Sequence, residues 1–452
     1  MTRFSYRLYR LVSGVRQWVR RRFTPAGWLA LAALLMTGSI GIDMDQTVAF
    51  QGFALVACVL IVSMLAAPFF RGRFTIQRVL PRYGSVGEPL RYHVAVRNLG
   101  RVPLRHLELI EDLADPRPTL AEYAAADREA SREKSLRIVR NPAAVAGMRH
   151  MKLPKPVPLP FLPARGEAEA VIEVTPFQRG ALRFTGATVA RTDPLGLFRG
   201  FVRVPQPATV LVLPKRYPVP PLELPGARQY QRGGVTLASS IGESDEFVSL
   251  RDYRPGDPLR HIHWRSWART GRPIVKEFQD EYFVRHALIL DTFAEAASHA
   301  AFEEAVSIAA SFACSLATQE SLLDLMFIGP QAVCFTAGRG VGHTGQALEI
   351  LAAVKPCREK SFQSLEDLVV QHAPKVCGCI CVLLAWDEPR RQLVRKLTAM
   401  GQPLLVLVLA EAGAADSLRT ALDQADRPAG AFMILEMGKV AEGLHQLEAF
   451  RA

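Results

Sequence analysis

The chain has 452 residues, 49% of them apolar and 22% charged, which is too long for one ordinary domain and too apolar for a disordered chain. Its formal charge is +12, but residues 1–82 hold eleven arginines, two aspartates and no lysine or glutamate, so +9 of the excess lies in that stretch. A basic excess this local argues against a DNA-binding domain and for a membrane surface.

Residues 1–24 read as a basic cytoplasmic arm, with Arg3, Arg7, Arg10, Arg16, Arg20, Arg21 and Arg22 beside Tyr6, Tyr9 and Trp18. Such a segment lies along an anionic inner leaflet. Residues 25–70 follow as a two-helix transmembrane hairpin, with uncharged stretches at 25–42 and 47–70, each near the ~20 residues that cross a hydrocarbon core. Arginines stand before the first stretch and after the second, at Arg71, Arg73, Arg78 and Arg82. That places both termini on the cytoplasmic side of a bacterial inner membrane, with Asp43–Gln46 on the far side.

Residues 74–215 read as an all-β, sandwich-like domain with a Pro/Ala-rich insertion at 115–165. In "LRYHVAVRN" Tyr92, Val94 and Val96 alternate with Arg91, His93, Ala95 and Arg97, and the run ends in an Asn-Leu-Gly turn. "AEAVIEVTP", "RFTGATVA" and "ATVLVLP" continue the strands. "LPKPVPLPFLP" reads as a polyproline-like connector, either a loop or a docking strip. "RTDPLGLFRG" reads as a tight turn that docks Leu197 and Phe198 onto the sheet.

Residues 216–284 form a linker with an unusual centre. Arg251 to Thr270 holds five arginines, two histidines, two tryptophans and two aspartates. Asp257 and Pro258 fit a helix N-cap and first position, and Gly271 a stop, so a helix is expected over 258–270. A helix points His261 and His263 apart, whereas helical zinc pairs sit at i,i+4, so no zinc site is expected. Arg260 with Trp264, and His263 with Trp267, fall at i,i+4 as rings under cations. Asp252 and Asp257 read as turn, cap and salt-bridge residues. Glu243, Asp245 and Glu246 lie close by in sequence, which argues against a nucleic-acid patch. The segment reads as a buried or half-buried knot with an arginine surface.

Residues 285–452 alternate strands and helices as a doubly wound α/β domain with a mostly parallel sheet. "EEAVSIAASFACSLATQE" puts Ala305, Ile308, Ala309, Phe312 and Leu316 on one helical face. "LLDLMFIG" and "AVCFTAG" form a hairpin, and Asp291 and Asp387 fall at strand carboxyl ends, where such sheets bind ligands. Gly340, Gly342 and Gly345 match G-x-G-x-x-G, but they follow the second strand of a hairpin, and Gln346 and Ala347 replace P-loop residues. The pattern therefore reads as a glycine-rich loop, and no cofactor is expected. Seven unevenly spaced cysteines describe no disulfide framework and imply a reducing compartment; Cys377, Cys379 and Cys381 alternate along a strand as small core residues.

The segment 242–278 resembles the signature of the domain-of-unknown-function family 58. The resemblance rests on Glu246-Phe247, Leu250-Arg251-Asp252-Tyr253, Pro255-Gly256-Asp257, Arg260-His261-Ile262-His263-Trp264 and Ala268-Arg269, with Lys276 and Phe278. "TPFQRGALRF" and "DPLGLF" are similar to the family's β-domain. The resemblance implies a membrane hairpin, a β-rich domain, a degenerate von Willebrand factor A-like domain and association with a MoxR-type AAA+ ATPase. It implies no established enzymatic activity. The metal site of true A domains reads Asp-x-Ser-x-Ser, with a Thr and a later Asp. Here Asp291-Thr292-Phe293-Ala294-Glu295 lacks both serines, Ser361 is the nearest counterpart of the Thr, and Asp387 matches the last Asp. Too few oxygen ligands remain for Mg²⁺. The expected function is a non-catalytic scaffold or adaptor. The alternatives are an enzyme or anion-binding protein using the Arg251–Arg269 cluster, and a metal-dependent adhesion module.

Overall fold

The structure is a computed structural model that describes residues 2–40, 47–114, 120, 123, 155–220, 231–232, 247–257, 259–278, 282–283, 285–294, 299–317, 322–338, 341–411, 413–415, 418 and 431–447. Asp43–Gln46, most of the 115–165 insertion, Glu243, Asp245, Glu246, Pro258, Glu295 and Gly340 lie outside the described residues. The chain divides into two compact units, Met1–Leu213 and Pro214–Ala452.

The first unit opens with helices α1 (Thr2–Arg22), α2 (Pro25–Ile40) and α3 (Thr47–Ala66), the last extended by a 3-10 turn at Ala67–Phe69. Among the described residues one helical stretch, Val48–Phe69, is long and apolar enough to cross a membrane, with a mean hydropathy of 2.4. Of the two expected spans, this is the one of membrane length among the described residues. The helix α2 covers 16 residues, about 24 Å at 1.5 Å per residue, short of a ~30 Å hydrocarbon core. Gly38 lets it approach α3, since a Cβ there would meet the Phe53 ring at 3.2 Å.

Eight strands follow: β1 (Phe74–Val79), β2 (Tyr83–Ser85), β3 (Leu90–Asn98), β4 (Leu107–Leu113), β5 (Val157–Leu159), β6 (Glu167–Val174), β7 (Gly180–Thr192) and β8 (Arg199–Leu213). They form a three-stranded sheet, β1-β3-β6, and a five-stranded sheet, β2-β8-β7-β4-β5. Tyr92, Val94 and Val96 from one sheet and Leu107, Leu109, Phe184 and Val189 from the other fill a single core. The alternating apolar residues thus face the opposite sheet, as a sandwich requires. The proline-rich connector is in part a strand. Its β5 pairs with β4, and Leu162 bridges Leu104 with no exposed surface, because its apolar residues are needed to close the core. Within this core Arg78 donates to Glu111 through Nε at 3.1 Å and Nη2 at 2.8 Å, with both side chains buried.

The β7–β8 turn is built by Asp193, whose carboxylate accepts the backbone N–H groups of Leu195 at 3.0 Å and Phe198 at 2.7 Å. Ser63 of α3 donates to the same carboxylate. The Leu197 carbonyl accepts from the Thr24 N–H at 3.1 Å, Thr24 Oγ1 donates to the Gly196 carbonyl at 2.6 Å, and Phe198 packs on Phe23 and Trp18. Leu197 and Phe198 therefore dock on the helices, a correction to their expected place on the sheet. Glycines make the approach possible. A Cβ at Gly27 would lie 2.1 Å from the Leu197 carbonyl oxygen, and one at Gly200 would lie 2.6 Å from that of Ala67. Around this joint Arg199 bonds Glu108 at 2.7 Å and the Phe23 carbonyl at 3.0 Å, and Arg21 pairs with Asp112.

In the second unit β9 (Gln231–Arg232), β10 (Phe247–Asp252), α4 (Trp264–Thr270), β11 (Ile274–Phe278) and β12 (Tyr282–Phe283) precede the α/β domain. That domain runs β13 (Arg285–Leu290), α5 (His299–Ala317), β14 (Leu322–Ile328), β15 (Ala332–Ala337), α6 (Val341–Ala353), α7 (Gln363–His372), β16 (Gly378–Leu383), α8 (Glu388–Ala399), β17 (Leu404–Ala410), β18 (Ala431–Glu436) and α9 (Val440–His445). The six-stranded order is β15-β14-β13-β16-β17-β18, parallel except for β15 at the edge. Ala287, Ile289, Cys379 and Cys381 share a core with Leu365 of α7 and Leu393 of α8. The expected face of α5, from Ala305 to Leu316, is fully buried, and α5 lies against β13, β14, β16 and β17. Burial pushes the Cys379 thiol up to about 12, so it stays a protonated core residue. Arg285 holds the buried Asp324 at 2.8 Å and 2.9 Å.

His286 on β13 is buried and its Nδ1 has no partner. Burial keeps its imidazole neutral and lowers its pKa to about 4 from 6.5. Between those values the unfolded chain binds a proton that the folded chain does not, so stability falls as pH drops from about 6.5 toward about 4. The slope approaches about 1.4 kcal/mol per pH unit inside that window. Replacing His286 with Leu flattens this dependence, measured as the difference in thermal midpoint of the full chain between about pH 7 and about pH 5. An undiminished difference in the variant would assign the pH response elsewhere.

Candidate functional site

The strand pair β10–β11 carries the arginine-rich segment, with Arg251 opposite Val275 and Asp252 opposite Ile274. Phe247 opens β10 opposite Phe278. The half-buried Tyr253 donates its N–H to the Pro273 carbonyl at 3.0 Å. Arg254, Pro255, Gly256 and Asp257 then turn the chain, with Gly256 at φ 107°. Arg251 clamps this turn, donating to Asp257 from Nη1 at 2.7 Å and Nη2 at 2.8 Å, while the Arg254 N–H donates at 2.8 Å. These bonds, Arg251 first, hold the Asp257 carboxyl down at about 2.

Asp257 therefore caps a turn, not a helix. Leu259–His261 is a 3-10 turn, Ile262 bridges Val275, and α4 begins only at Trp264. The expected helix over 258–270 is corrected because Ile262, 7% exposed, and Val275, 2% exposed, bury each other across that bridge. The His263 N–H goes to the Ile274 carbonyl at 2.8 Å. The two histidines have separate partners: Arg260 Nε donates to His261 Nε2 at 3.2 Å, and His263 Nδ1 lies 2.7 Å from Ser266 Oγ. Gly271 ends α4 at φ 69° with its N–H on the Trp267 carbonyl, the expected stop.

Of the expected buried or half-buried knot, α4 has no fully buried residue, while His263, Ser266 and Trp267 are half-buried and Arg265 and Arg269 are exposed. Because the helix starts at Trp264, Arg260 and His263 lie before it and not at i,i+4 on it, and the Trp264 and Trp267 rings stack with centroids 5.2 Å apart. Trp264 is 65% exposed and Leu259 68%. Ala268 and Arg269 are exposed on the same short helix. From Leu250 to Lys276 seven lysines and arginines stand against two carboxylates, Asp252 and Asp257. A stacked aromatic pair among arginines is the composition of a protein-binding hot spot.

A second arrangement lies at the carboxyl ends of the parallel strands. Asp291, fully buried, accepts the N–H groups of Phe293 at 2.9 Å and Leu384 at 3.1 Å. Arg390, three residues into α8, donates from Nε to Asp291 at 2.6 Å, from Nη1 to Asp387, and from Nη2 to the Phe293 carbonyl at 3.2 Å. Its guanidinium carbon lies 5.0 Å from the centre of the Phe362 ring. Burial works against the guanidinium charge, but Asp291 and then Asp387 more than offset it, so its pKa lies above the ordinary arginine value. The residues do not fit a divalent ion. The two carboxylates that would bind it already hold a cation, the residue two after Asp291 is the phenylalanine Phe293, and Ser361 is exposed. Among the described residues no group of three or more His, Cys, Asp or Glu side chains could hold a metal. Sequence reasoning missed Arg390; its signal was Asp387-Glu-Pro-Arg390, a helix start with a cation at N3.

These features define a class: a chain with a membrane-length apolar helix, a β-sandwich and an α/β unit that displays an aromatic–arginine surface. Residues 249–382 match the family model described as "Protein of unknown function DUF58", the family that the signature resembles. The chain is also 29% identical over 184 residues to "Uncharacterized protein YeaD" of Bacillus subtilis (strain 168), covering 40% of this chain and 44% of that protein. The chain thus spans less than half the length of that curated relative. Among solved structures, the CARDB domain of the PF1109 protein from Pyrococcus furiosus is similar over 32% of this chain and 96% of its own, at 18% identity and TM-score 0.18. β-Glucosidase from Listeria innocua is similar over 31% of this chain and 16% of its own, at 14% identity and TM-score 0.15. Likenesses at these scores carry no argument about function.

The burial pattern separates two substitutions. Ile262→Ala removes a buried side chain and lowers the stability of the full chain by about 2–5 kcal/mol. Trp264→Ala, at an exposed position, changes it by less than about 0.5 kcal/mol. Chemical denaturation of both variants in detergent checks this. A large loss in Trp264→Ala would return the tryptophan to a structural role.

Proposed function

We propose that the chain is a non-catalytic adaptor, anchored in the bacterial inner membrane, that offers the Trp264–Trp267 surface to a protein partner in the cytoplasm. The exposed Trp264, stacked on the half-buried Trp267 within the family-matched segment, carries this reading. The ring of arginines fits an acidic partner surface. A MoxR-type AAA+ ATPase is the partner, acting with the adaptor in assembly of envelope or other complexes. The sheet order supports reading the second unit as a von Willebrand factor A-like domain: third, second, first, fourth, fifth and sixth strand, with the third antiparallel. The Arg390 contacts weigh against a metal-dependent adhesion module. The pairing of Asp257 with Arg251 weighs against the enzyme alternative, because it removes the carboxylate best placed to act as a base. Capture from membranes under ATP-trapping conditions recovers an AAA+ ATPase with the parent chain, and a variant combining Trp264→Ala and Arg265→Glu loses it. Failure to recover any such ATPase from repeated captures would overturn the adaptor reading.

The helix α3 is the main anchor, and α2 packed on it at Gly38 is the shorter arm of a two-pass hairpin with both termini cytoplasmic. The basic arm lies in the plane of the anionic inner leaflet. Phe4, Leu8, Leu11, Val15 and Trp18 recur at helical spacing on α1, and each is between 49% and 75% exposed. Seven arginines and no acidic residue share the first 24 positions, the composition of an interfacial amphipathic helix. With Leu11→Cys labelled by a polarity-sensitive fluorophore in the reconstituted full chain, emission shifts to the blue in vesicles containing phosphatidylglycerol, and less in phosphatidylcholine alone. Aqueous emission in both compositions would remove α1 from the leaflet.

A further inference from the structure

We infer that the Arg390 guanidinium is the resident cation of the strand-end crevice of the α/β unit, so that this domain holds its shape, and meets any partner, without a metal ion. The crevice lies where open α/β sheets bind ligands, beyond the carboxyl ends of β13 and β16. Asp291 ends the first strand of the domain and Asp387 caps α8, with its carboxylate accepting the Arg390 N–H at 3.3 Å. Asp291 is fully buried and Asp387, 46% exposed, converges on the same point, so the buried carboxylate loses hydration and needs a positive charge beside it. Arg390 supplies it from within the chain.

The geometry accounts for each face of the cation. Its Nε meets Asp291, its Nη1 meets Asp387 and its Nη2 meets the Phe293 carbonyl, while the Phe362 ring lies beside the plane. The Arg390 side chain is 9% exposed and that of Asp291 is 0% exposed, so an ion from solvent has no route to this carboxylate without expelling the guanidinium. Phe293 and Phe362 pack with ring centroids 5.5 Å apart, which fills with hydrocarbon the space where hydroxyl ligands would stand. Lysine could not make these contacts, because a single ammonium lacks the planar fork that reaches three acceptors. The tie joins the end of β13, the loop after it and the start of α8, so one side chain stands in for a metal as a structural cross-link.

The test uses the full chain in detergent without any partner, so its failure is independent of the adaptor reading. Thermal midpoints of the parent chain are expected to be the same in MgCl₂, MnCl₂ and ionic-strength-matched NaCl. Arg390→Ala lowers the midpoint, and millimolar guanidinium restores part of the loss relative to NaCl in that variant but not in the parent. Arg390→Lys also lowers the midpoint, which keeps the test available if the alanine variant does not fold. Saturable stabilisation of the parent by Mg²⁺ or Mn²⁺, abolished in Asp291→Asn, would overturn the inference. So would an Arg390→Ala variant, or an Arg390→Lys variant, that melts at the parent temperature.

Discussion

A guanidinium held on a buried carboxylate organises each unit of this chain. Arg390 joins residues 99 positions apart through its bond to Asp291, and Arg78 does the same for β1 and β4 inside the sandwich through Glu111. Arg285 repeats the device on Asp324, tying β13 to β14. Buried ion pairs of this kind add little net stability over apolar substitutes, but removing one partner leaves an uncompensated charge. Their effect is to disfavour every other packing of the same apolar strands. That constraint matters most in the six-stranded sheet, where nearly every side chain of β14, β16 and β17 is apolar and buried, so that pattern alone says little about register.

The segment that identifies the family combines two kinds of residue. Arg251, Gly256 and Asp257 build a turn, and Ile262 and Val275 fasten it to the strand pair. Trp264 and Leu259 are held outward on that frame, with Trp264 stacked on the half-buried Trp267. The turn and bridge fix the geometry and leave the aromatic rings free to act at the surface. A half-buried Trp267 beneath the exposed Trp264 reduces the side-chain ordering that association would otherwise require.

Much of the architecture was legible where periodicity was strong. The face of α5 from Ala305 to Leu316 and the alternation of Tyr92, Val94 and Val96 in β3 follow directly from spacing. The β14–β15 hairpin was legible from its apolar runs, and β15 proved to be an antiparallel edge strand, which leaves the glycine pattern after it outside a βαβ unit. Legibility failed where a tertiary contact overrode a local signal. Asp257 and Pro258 resemble a helix start, but the bridge from Ile262 to Val275 delays the helix to Trp264. The connector at 153–163 resembles a polyproline strip, but the sandwich recruits Val157–Leu159 as a strand. Arg390 was hidden among the arginines of an amphipathic helix, and only the fold shows that it meets Asp291.

The Asp193 turn has a mechanical consequence. It caps the β7–β8 hairpin of the five-stranded sheet, in which β7 has 13 residues and β8 has 15, a length of about 43 Å for the shorter strand at 3.3 Å per residue. Its tip is fastened to α3 by Ser63 and to the start of α2 by Thr24, while its far end is woven into the sandwich through the pairing of β8 with β2. Since β4 pairs with β7 up to Arg191 beside the tip, the apolar helices are fastened directly to the five-stranded sheet. A tilt of those helices would be carried along both strands, and the break in pairing at Phe184 and Gly186 is the place where the hairpin can absorb torsion.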